Sequence, residues 1–526
     1  MRSLSTFKLI ILLVKLKTNN IKVLFINPNP RNMSLVQPVV ALFYTIFKQH
    51  DIVMRFFDTT FYDVSETYSN ADKYQEEVSL GVKKRDETEL KKHLLKPKTK
   101  AQLFSDFRRE MEDFQPHVLF ASSTESTISF AREILKRVRD LGVPHVLGGV
   151  FATYAPELAI SYDEVDLICV GEAEKTIVPL VKRLANGEKT TDLPGVWTKE
   201  KGQVTKNLIA PLVNLDDLPL FDASIYEDSR FYRAMSGKIY RMFPVETHRG
   251  CPLKCTFCNS PLQNSMYKNE TGESYFRKKS ISKVMEDIRY LVDELKAEYL
   301  FFWADNFLAY SRQEIDEFCE AYADVKLPFF CQSYPATLDE YKFKRLVDVG
   351  LHKINMGMEH GNEEFRKKVI KRIYSNNKAI EQAKILQNYD VQYGLANIVG
   401  FPNETPELHM DTVRINRIIQ PHTASCSIFT PFHGTPLREL AVKLGYMKDD
   451  YIAPANSEGS ILNMPNFTKE QIYGKARTFN LYVKLPINRY KDIKKAEDNT
   501  PEGDRIWEEL KQEYFGKFGD ANGNGH

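Results

Sequence analysis

Short apolar runs alternate with amphipathic stretches along the first 190 residues of the chain. The first run, 21–26, stops at the turn residues Asn27 and Pro28, which is typical of a buried strand. Further strands are predicted at 52–57, 117–121, 144–147 and 165–170, with helices near 34–50, 102–114, 125–140 and 173–186. Five buried strands separated by helices predict a doubly wound parallel α/β sheet, assigned to residues 21–190.

A second alternation begins after residue 240. Its predicted strands are 243–247, 299–303, 329–334, 353–358, 391–399 and 424–430, with helices between them. Six parallel strands with intervening helices predict a partial (β/α)6 barrel over residues 241–440. Functional residues of such barrels lie at the carboxyl ends of the strands.

The remaining segments carry weaker patterns. Residues 1–20 contain an apolar run, 9–14, which is far shorter than the roughly 20 residues that span a bilayer, and no signal cleavage site follows it. We interpret 1–20 as an N-terminal extension, expect no transmembrane segment and expect a cytoplasmic protein. Residues 191–240 are interpreted as a linker, 63–100 as a charged, solvated insertion, and 441–526 as a helical region that ends in a disordered tail.

Composition and charge narrow the class of protein. Of 526 residues, 43% are hydrophobic and 27% charged, which excludes a wholly disordered chain. Lys and Arg total 72 against 70 Asp and Glu, a net charge of +2 that gives no reason to expect a nucleic acid partner. Seven cysteines are too few for a disulfide scaffold, so a local cluster of them indicates metal binding in a reducing compartment.

Three cysteines form such a cluster directly after the first barrel strand. Cys251, Cys255 and Cys258 have the spacing C-x3-C-x2-C within one loop. A closed structural zinc site takes four ligands, usually in two separated pairs, whereas three thiolates on a four-iron cluster leave one iron open to an exogenous ligand. The spacing favours the iron–sulfur cluster, and the alternatives are a zinc knuckle or a chance grouping.

Glycines and hydroxyls follow the strands of the first sheet. Gly148 and Gly149 would let a ligand approach the backbone, and Ser122 and Ser123 could bond a polar group of that ligand. The alternative is that the glycine pair only forms a tight turn.

These features together resemble a known family. The cysteine loop, the six-strand partial barrel and the segments 357–361 and 400–405 resemble the radical S-adenosylmethionine (SAM) enzymes. The first half, with its Gly148-Gly149 pair and the Leu-Asp-Asp-Leu-Pro segment 215–219, resembles the cobalamin-binding domain that precedes many of them. The whole chain is therefore similar to the cobalamin-dependent (class B) radical SAM methylases and their relatives, which include a porphyrin-ring cyclase.

The resemblance implies three cofactors. A [4Fe–4S] cluster would be held by Cys251, Cys255 and Cys258, and SAM would bind its open iron. The residues expected near SAM are Phe257, Asp305, Asn306, Gln332, Glu359 and Gly400. Those expected near cobalamin are Asn27, Ser122, Ser123, Gly148, Gly149, Gly171 and Glu172. The cobalt would lack a histidine lower ligand, because the sequence contains no Asp-x-His-x-x-Gly motif.

The expected activity is methyl transfer from cobalamin to an unactivated carbon or phosphorus centre of a small molecule. This reaction requires the barrel mouth to face the carboxyl edge of the first sheet, with substrate between them, and a reducing partner such as flavodoxin or ferredoxin. The alternatives are a radical cyclase or rearrangement enzyme that uses cobalamin for electron transfer, and a non-enzymatic cobalamin or redox sensor.

Cys331 and Cys426 are possible hydrogen donors but are expected to be core residues. The sequence identifies no catalytic residue.

Overall fold

The computed structural model describes residues 20–29, 36–64, 71–78, 80, 87–93, 95–454 and 456–518. The apolar run at 9–14 and the expected tail at 519–526 lie outside the described residues. Among the described helices, none has the length and apolar character needed to cross a membrane.

The described chain alternates strands and helices almost throughout. The strands are β1 (Lys22–Ile26), β2 (Val53–Phe57), β3 (Tyr62–Asp63), β4 (Lys98–Thr99), β5 (Val118–Ser122), β6 (His145–Gly148), β7 (Leu167–Cys169), β8 (Val196–Glu200), β9 (Gln203–Thr205), β10 (Tyr232–Met235), β11 (Lys238–Glu246), β12 (His248–Arg249), β13 (Arg277–Lys278), β14 (Tyr299–Trp303), β15 (Phe329–Ser333), β16 (Leu351–Glu359), β17 (Gln392–Val399) and β18 (Thr423–Ile428).

The α-helices are α1 (Pro38–Lys48), α2 (Ala71–Val78), α3 (Glu87–His93), α4 (Lys100–Phe114), α5 (Ile128–Lys136), α6 (Val150–Tyr154), α7 (Pro156–Ser161), α8 (Ile177–Asn186), α9 (Ser260–Glu270), α10 (Ile281–Asp293), α11 (Arg312–Tyr322), α12 (Glu340–Asp348), α13 (Glu363–Phe365), α14 (Asn376–Gln387), α15 (Pro406–Ile419), α16 (Pro436–Lys443), α17 (Lys469–Lys484), α18 (Tyr490–Ala496) and α19 (Pro501–Phe518). One π-helical turn, Arg366–Ile370, follows α13.

The first sheet has the strand order β2-β1-β5-β6-β7-β8-β9. Its first five strands are parallel, with Phe25 paired to Phe56 and to Phe120. This confirms the predicted doubly wound sheet. Its parallel strands are buried on both faces, so each occurs in the sequence as a short, continuous apolar run. The antiparallel strands β8 and β9 extend the sheet from within 191–240, the segment expected to be a linker, and β10 of the same segment joins the second sheet.

The second sheet has the order β10-β11-β14-β15-β16-β17-β18. The strands from β11 to β18 are parallel and make the predicted partial barrel. Side chains alternate across it: Leu300 and Phe302 of β14 pack in the core beneath the helices, while Tyr299 and Phe301 join an apolar cluster on the opposite, interior face. Cys331 and Cys426 are buried in the helix-side cores, as expected for small hydrophobic residues.

The insertion at 63–100 is packed against the barrel in part, which differs from the expected solvated segment. Helix α2 buries Tyr74 and Val78 in a core shared with α17. The Tyr74 hydroxyl accepts a hydrogen bond from the backbone N–H of Ile428 at 3.1 Å, and Glu77 pairs with Arg477 at 3.1 Å. The amphipathic side of this short helix therefore covers the open edge strand of the barrel.

Candidate active site

A cavity of about 600 Å³ lies between the two sheets. Ser122, Gly148 and Gly171 line it from the carboxyl edge of the first sheet, and Glu246 and Trp303 line it from strand ends of the barrel. The two carboxyl edges therefore face one chamber, which is the arrangement that methyl transfer between two cofactors requires.

Glycine is present at the three positions of this edge for different structural reasons. Gly149 has φ +89°, and a Cβ there would lie 2.8 Å from the Ser122 hydroxyl. Gly171 has φ +79°, and its Cβ would lie 2.6 Å from the Tyr267 hydroxyl. At Gly148 the nearest atom to an added Cβ is the Cβ of Cys169, 3.9 Å away, so the Cβ position itself is unobstructed. Gly148 thus leaves open space in the cavity wall that a flat ligand could fill.

The polar residues predicted for cobalamin divide into two groups. Ser122 and Glu172 line the cavity. Ser123 is buried, and its hydroxyl bonds Thr127 Oγ1 at 2.9 Å and the Thr124 carbonyl oxygen, so it stabilises the turn after β5. Asn27 is half-buried outside the cavity lining, and its carbonyl oxygen accepts from Thr59 Oγ1 at 3.5 Å.

A buried ion-pair cluster joins the two sheets beside the cavity. Arg249 lies 2.6 Å from Glu174, 3.1 Å from Glu172 and 2.9 Å from Glu246, and Arg277 also pairs with Glu172. Burial raises the pKa of Glu172, and the neighbouring Glu174 adds to the rise against the attraction of Arg249. Burial opposes the charge on Arg249, but its three carboxylates hold the pKa of that guanidinium well above its usual range.

Helix α9 forms a second connection between the cysteine loop and the first sheet. Its Asn264 donates to the carbonyl of Cys251 at 2.9 Å, and its Gln263 accepts from the Tyr154 hydroxyl at 2.7 Å. The Tyr267 hydroxyl accepts from the backbone N–H of Glu172 at 2.7 Å. One helix therefore fixes the loop relative to the glycine-bearing edge.

The cysteine loop is held by backbone contacts. Gly250 has φ +80°, and a Cβ there would lie 2.7 Å from the Tyr275 ring, so the turn into Cys251 needs glycine. Farther along, the Thr256 N–H donates to the Ile370 carbonyl at 3.1 Å. Cys251 and Cys255 are buried, and Cys258 is half-buried and accepts from the Ser260 N–H at 3.5 Å.

The three thiols lie close enough to affect one another. Burial raises the pKa of Cys251 to about 12, with Asp305, Cys255 and Cys258 contributing. Burial also raises the pKa of Cys255, while Arg372 opposes the rise by its charge and a hydrogen bond. No group of His, Cys, Asp or Glu in the described part of the chain converges on a single metal ion. Thiolates on a [4Fe–4S] cluster bind separate irons, so they need no common centre, and this donor set fits that group.

Arg372 connects this loop to Glu359, and sequence reasoning missed it. Its Nη2 atom lies 3.2 Å from Glu359 Oε1, its guanidinium donates to the Gly357 carbonyl, and its Cζ lies 5.6 Å from the Phe257 ring centroid. Glu359 ends β16 at φ +63°, and burial raises its pKa against the charge of Arg372. Arg372 lies in a stretch interpreted as helical, so hydrophobic periodicity gave no signal for it.

The other residues predicted for SAM lie at strand ends with distinct surroundings. Asp305 lines the cavity, and partial desolvation by the surrounding protein raises the pKa of its carboxyl above its ordinary value. Gln332 is exposed and, by strand alternation with Cys331, lies on the interior face of the barrel. Asn306 is buried, and its Oδ1 accepts from Ser333 and Thr337 hydroxyls at 2.9 and 3.0 Å, so it stabilises the loop.

Gly400 belongs to a loop organised by Glu404. The Glu404 carboxylate accepts from the backbone N–H groups of Gly400 and Phe401 at 2.6 and 3.0 Å and lies 3.1 Å from His360 Nε2. Burial opposes its charge, but His360 and His409 lower the pKa of Glu404 to about 2. Gly400 has φ +91°, and a Cβ there would lie 2.9 Å from Ile472 of α17. The loop is therefore fixed against the C-terminal region.

Comparison with known proteins agrees with this geometry. Residues 245–414 match the model of the Radical SAM superfamily, and residues 91–181 match that of the B12 binding domain. An uncharacterized methyltransferase of Pyrococcus horikoshii is 26% identical over 374 residues, covering 70% of this chain and 79% of that protein. The anaerobic magnesium-protoporphyrin IX monomethyl ester cyclase of Cereibacter sphaeroides is 26% identical over 366 residues, covering 66% of this chain and 57% of that protein.

A solved structure supports the fold. The cobalamin-dependent SAM radical enzyme OxsB, with aqua-cobalamin and SAM bound, superposes with a TM-score of 0.61 at 15% identity, covering 96% of this chain and 72% of that one. Fold and site thus define an enzyme that combines a corrinoid-type α/β sheet with a radical SAM half-barrel. The chain contains the two domains that are combined in cobalamin-dependent radical SAM enzymes, and these domains imply a [4Fe–4S] cluster, SAM and cobalamin as its cofactors.

Proposed function

We propose that this enzyme transfers a methyl group to an unactivated carbon or phosphorus centre of a small molecule. The observation that carries the proposal is a cavity shared by both sheets, lined by Gly148 on one side and by Trp303 and Asp305 on the other. Groups that react must be held near contact distance, and this chamber brings both cofactor edges to one substrate. The 26% identity to an uncharacterized methyltransferase of Pyrococcus horikoshii supports methyl transfer as the type of reaction.

In this proposal Cys251, Cys255 and Cys258 hold the cluster, and Glu359 and Asp305 bind SAM. A carboxylate at Glu359 accepts hydrogen bonds from ammonium or ribose hydroxyl groups, and Arg372 keeps that carboxylate in place. The positive charge of Arg372 beside Cys255 also offsets the negative charge of an iron–sulfur site. When bound, the cluster with SAM supplies a carbon-centred radical and cobalamin supplies a methyl group.

The first sheet, within residues 21–190, is proposed to hold cobalamin at its carboxyl edge. Ser122, Gly148 and the backbone at Gly171 form the wall of this site, and Phe120 and Leu42 line an apolar part of the same cavity. Such a wall binds a flat macrocycle and excludes water from it. Asn27 and Ser123 are better assigned to turn structure than to ligand contact.

The proposed substrate chamber is bounded by Trp303, a residue that is 44% exposed although it ends a barrel strand. A large exposed aromatic in a cavity is typical of a surface that stacks on a ligand. The free cysteines and the need for a low-potential electron donor favour a reducing cytoplasmic setting.

A second candidate function is radical cyclisation with cobalamin in electron transfer, and it is favoured by the 26% identity to the protoporphyrin ester cyclase. The products of SAM distinguish the two. Methyl transfer forms S-adenosylhomocysteine together with 5′-deoxyadenosine, whereas cyclisation forms 5′-deoxyadenosine alone. Liquid chromatography with mass detection on the reconstituted, reduced chain measures both, and a chain that forms neither product would contradict both functions.

A further inference from the structure

Exposed lysines flank the buried contact between Cys255 and Arg372. Cys255 is buried, and Lys254 directly before it is exposed. Arg372 is largely buried, whereas Lys371 on one side of it and Ile373 on the other are exposed. On each segment, therefore, a residue next in sequence to this buried contact is exposed to solvent, so the protein surface lies close to the proposed cluster site.

The two segments form one surface, because hydrogen bonds join them. Thr256 donates through its N–H to the Ile370 carbonyl at 3.1 Å and through its hydroxyl to the Val369 carbonyl at 2.6 Å. These bonds come two residues after Lys254 and one or two before Lys371. The residues Lys254, Lys367, Lys368, Lys371 and Ile373 are called here the lysine surface.

The lysine surface carries an excess of positive charge. Lys367 and Lys368 pair with Glu363 and Glu364 at 2.5 and 2.9 Å. Lys254 and Lys371 make no ion pair with any side chain that the structure describes. The net charge of the whole chain is only +2, so two free ammonium groups beside the cluster loop are a strong local feature.

An apolar side chain lies among these charges. Ile373 is 74% exposed, the largest exposed fraction among the exposed large hydrophobic residues of the described chain. Protein interfaces commonly combine an apolar centre with a charged rim. Electron-transfer partners typically meet through small, short-lived contacts, and a few charged residues around one apolar side chain suit such a contact.

We propose that the lysine surface docks an acidic protein that donates one electron to the cluster. This rests on the proposed function, because it requires a cluster on the cysteine loop. In the step the donor loses one electron and the cluster gains one, and no covalent bond forms or breaks. The lysines attract carboxylates around the redox centre of the donor and raise the rate of encounter.

The test uses the full chain reconstituted with its cluster and the double variant Lys254→Glu/Lys371→Glu. An acidic flavodoxin, reduced beforehand, serves as donor, and stopped-flow absorbance and paramagnetic resonance follow cluster reduction. At low ionic strength the variant should be reduced about tenfold more slowly than the wild type, and the difference should shrink as salt screens the charges. Oxidised flavodoxin should also bind the cluster-free variant more weakly, as measured by titration calorimetry.

Three controls separate docking from damage. Lys254→Arg/Lys371→Arg should keep the wild-type rate, and so should Lys136→Glu/Lys182→Glu on helices of the first sheet. Photoreduced deazariboflavin, a small uncharged donor, should reduce all variants equally. Unchanged reduction of Lys254→Glu/Lys371→Glu by flavodoxin at low salt would overturn the docking surface, and so would an equal slowing with deazariboflavin. Either result would leave the proposed methyl transfer standing, because that proposal is tested by S-adenosylhomocysteine formation in the wild-type chain. A wild-type chain that assembles no cluster would contradict the proposed function as well.

Discussion

The guanidinium of Arg249 lies 2.6 Å from the Glu174 carboxylate, so an ion pair joins the segment that enters the cysteine loop to the proposed cobalamin-binding sheet. Arg249 is two residues from Cys251 and also contacts Glu172, which lines the cavity. The two proposed cofactor sites are thus positioned relative to each other by buried charge as well as by helix α9.

Arg249→Gln should loosen this connection. Removal of one partner leaves buried carboxylates uncompensated, a change that costs about 3–5 kcal/mol in buried pairs. We expect a lower thermal unfolding temperature and weaker corrinoid retention, measured by differential scanning fluorimetry and by absorbance after gel filtration. Lys206→Gln, which removes an exposed pair with Glu157 at 2.7 Å, is the matched control and should change little. Equal stability of the two variants would contradict the role assigned to Arg249.

Gly148→Leu should block corrinoid uptake without unfolding the sheet. Gly148 has ordinary φ, and its Cβ position meets only Cys169 at 3.9 Å, so the added side chain would occupy the cavity. Gly148→Ala should bind corrinoid with a smaller loss, and Gly149→Ala should destabilise the fold because Gly149 has φ +89°. Corrinoid absorbance per chain measures the first two effects. Full corrinoid occupancy in Gly148→Leu would show that the ligand binds elsewhere.

Arg372→Gln should weaken SAM binding while the three cysteines still assemble the cluster. Without the guanidinium 3.2 Å away, Glu359 loses its positioning partner and its raised pKa rises further. We expect at least about a tenfold loss of SAM affinity, equivalent to 1.4 kcal/mol, by equilibrium dialysis. Arg372→Lys should recover part of it. If Arg372→Gln binds SAM with wild-type affinity, Arg372 has no role in positioning Glu359 for SAM.

Glu404→Gln should destabilise the barrel in a pH-dependent way. The pKa of Glu404 in the folded chain is about 2, below its ordinary value of 4.5, so its ionised form stabilises the fold above the ordinary pKa and this contribution is lost as pH falls toward 2. The expected cost at pH 7 is about 3 kcal/mol. The free energies of unfolding of wild type and variant, measured by urea titration, should differ most at pH 7, and the difference should shrink by about 1 kcal/mol at pH 4. A difference that grows on acidification would contradict the assignment.

Sequence reasoning predicts the architecture well because its signals are local. Buried parallel strands read as short apolar runs, and the cysteine spacing lies within one loop. Arg372 and Glu404 act across distances that no local pattern encodes, since Arg372 meets Cys255 and Glu404 meets His360 only after folding. The burial of Tyr74 is a similar case, because its partner Ile428 is 354 residues away. Propensity alone cannot separate a solvated charged segment from one that docks on another domain.

The measurement that tests the central claim most directly is the fate of SAM in the reduced, cobalamin-loaded chain before any substrate is added. We expect S-adenosylhomocysteine in about one equivalent per bound corrinoid, and none in Gly148→Leu or in the variant with Cys251, Cys255 and Cys258 all changed to Ala. Loss of the cluster in the triple variant, measured as iron per chain, should accompany the loss of SAM cleavage. A loaded wild type that forms 5′-deoxyadenosine but no S-adenosylhomocysteine would contradict methyl transfer and favour the cyclase reaction.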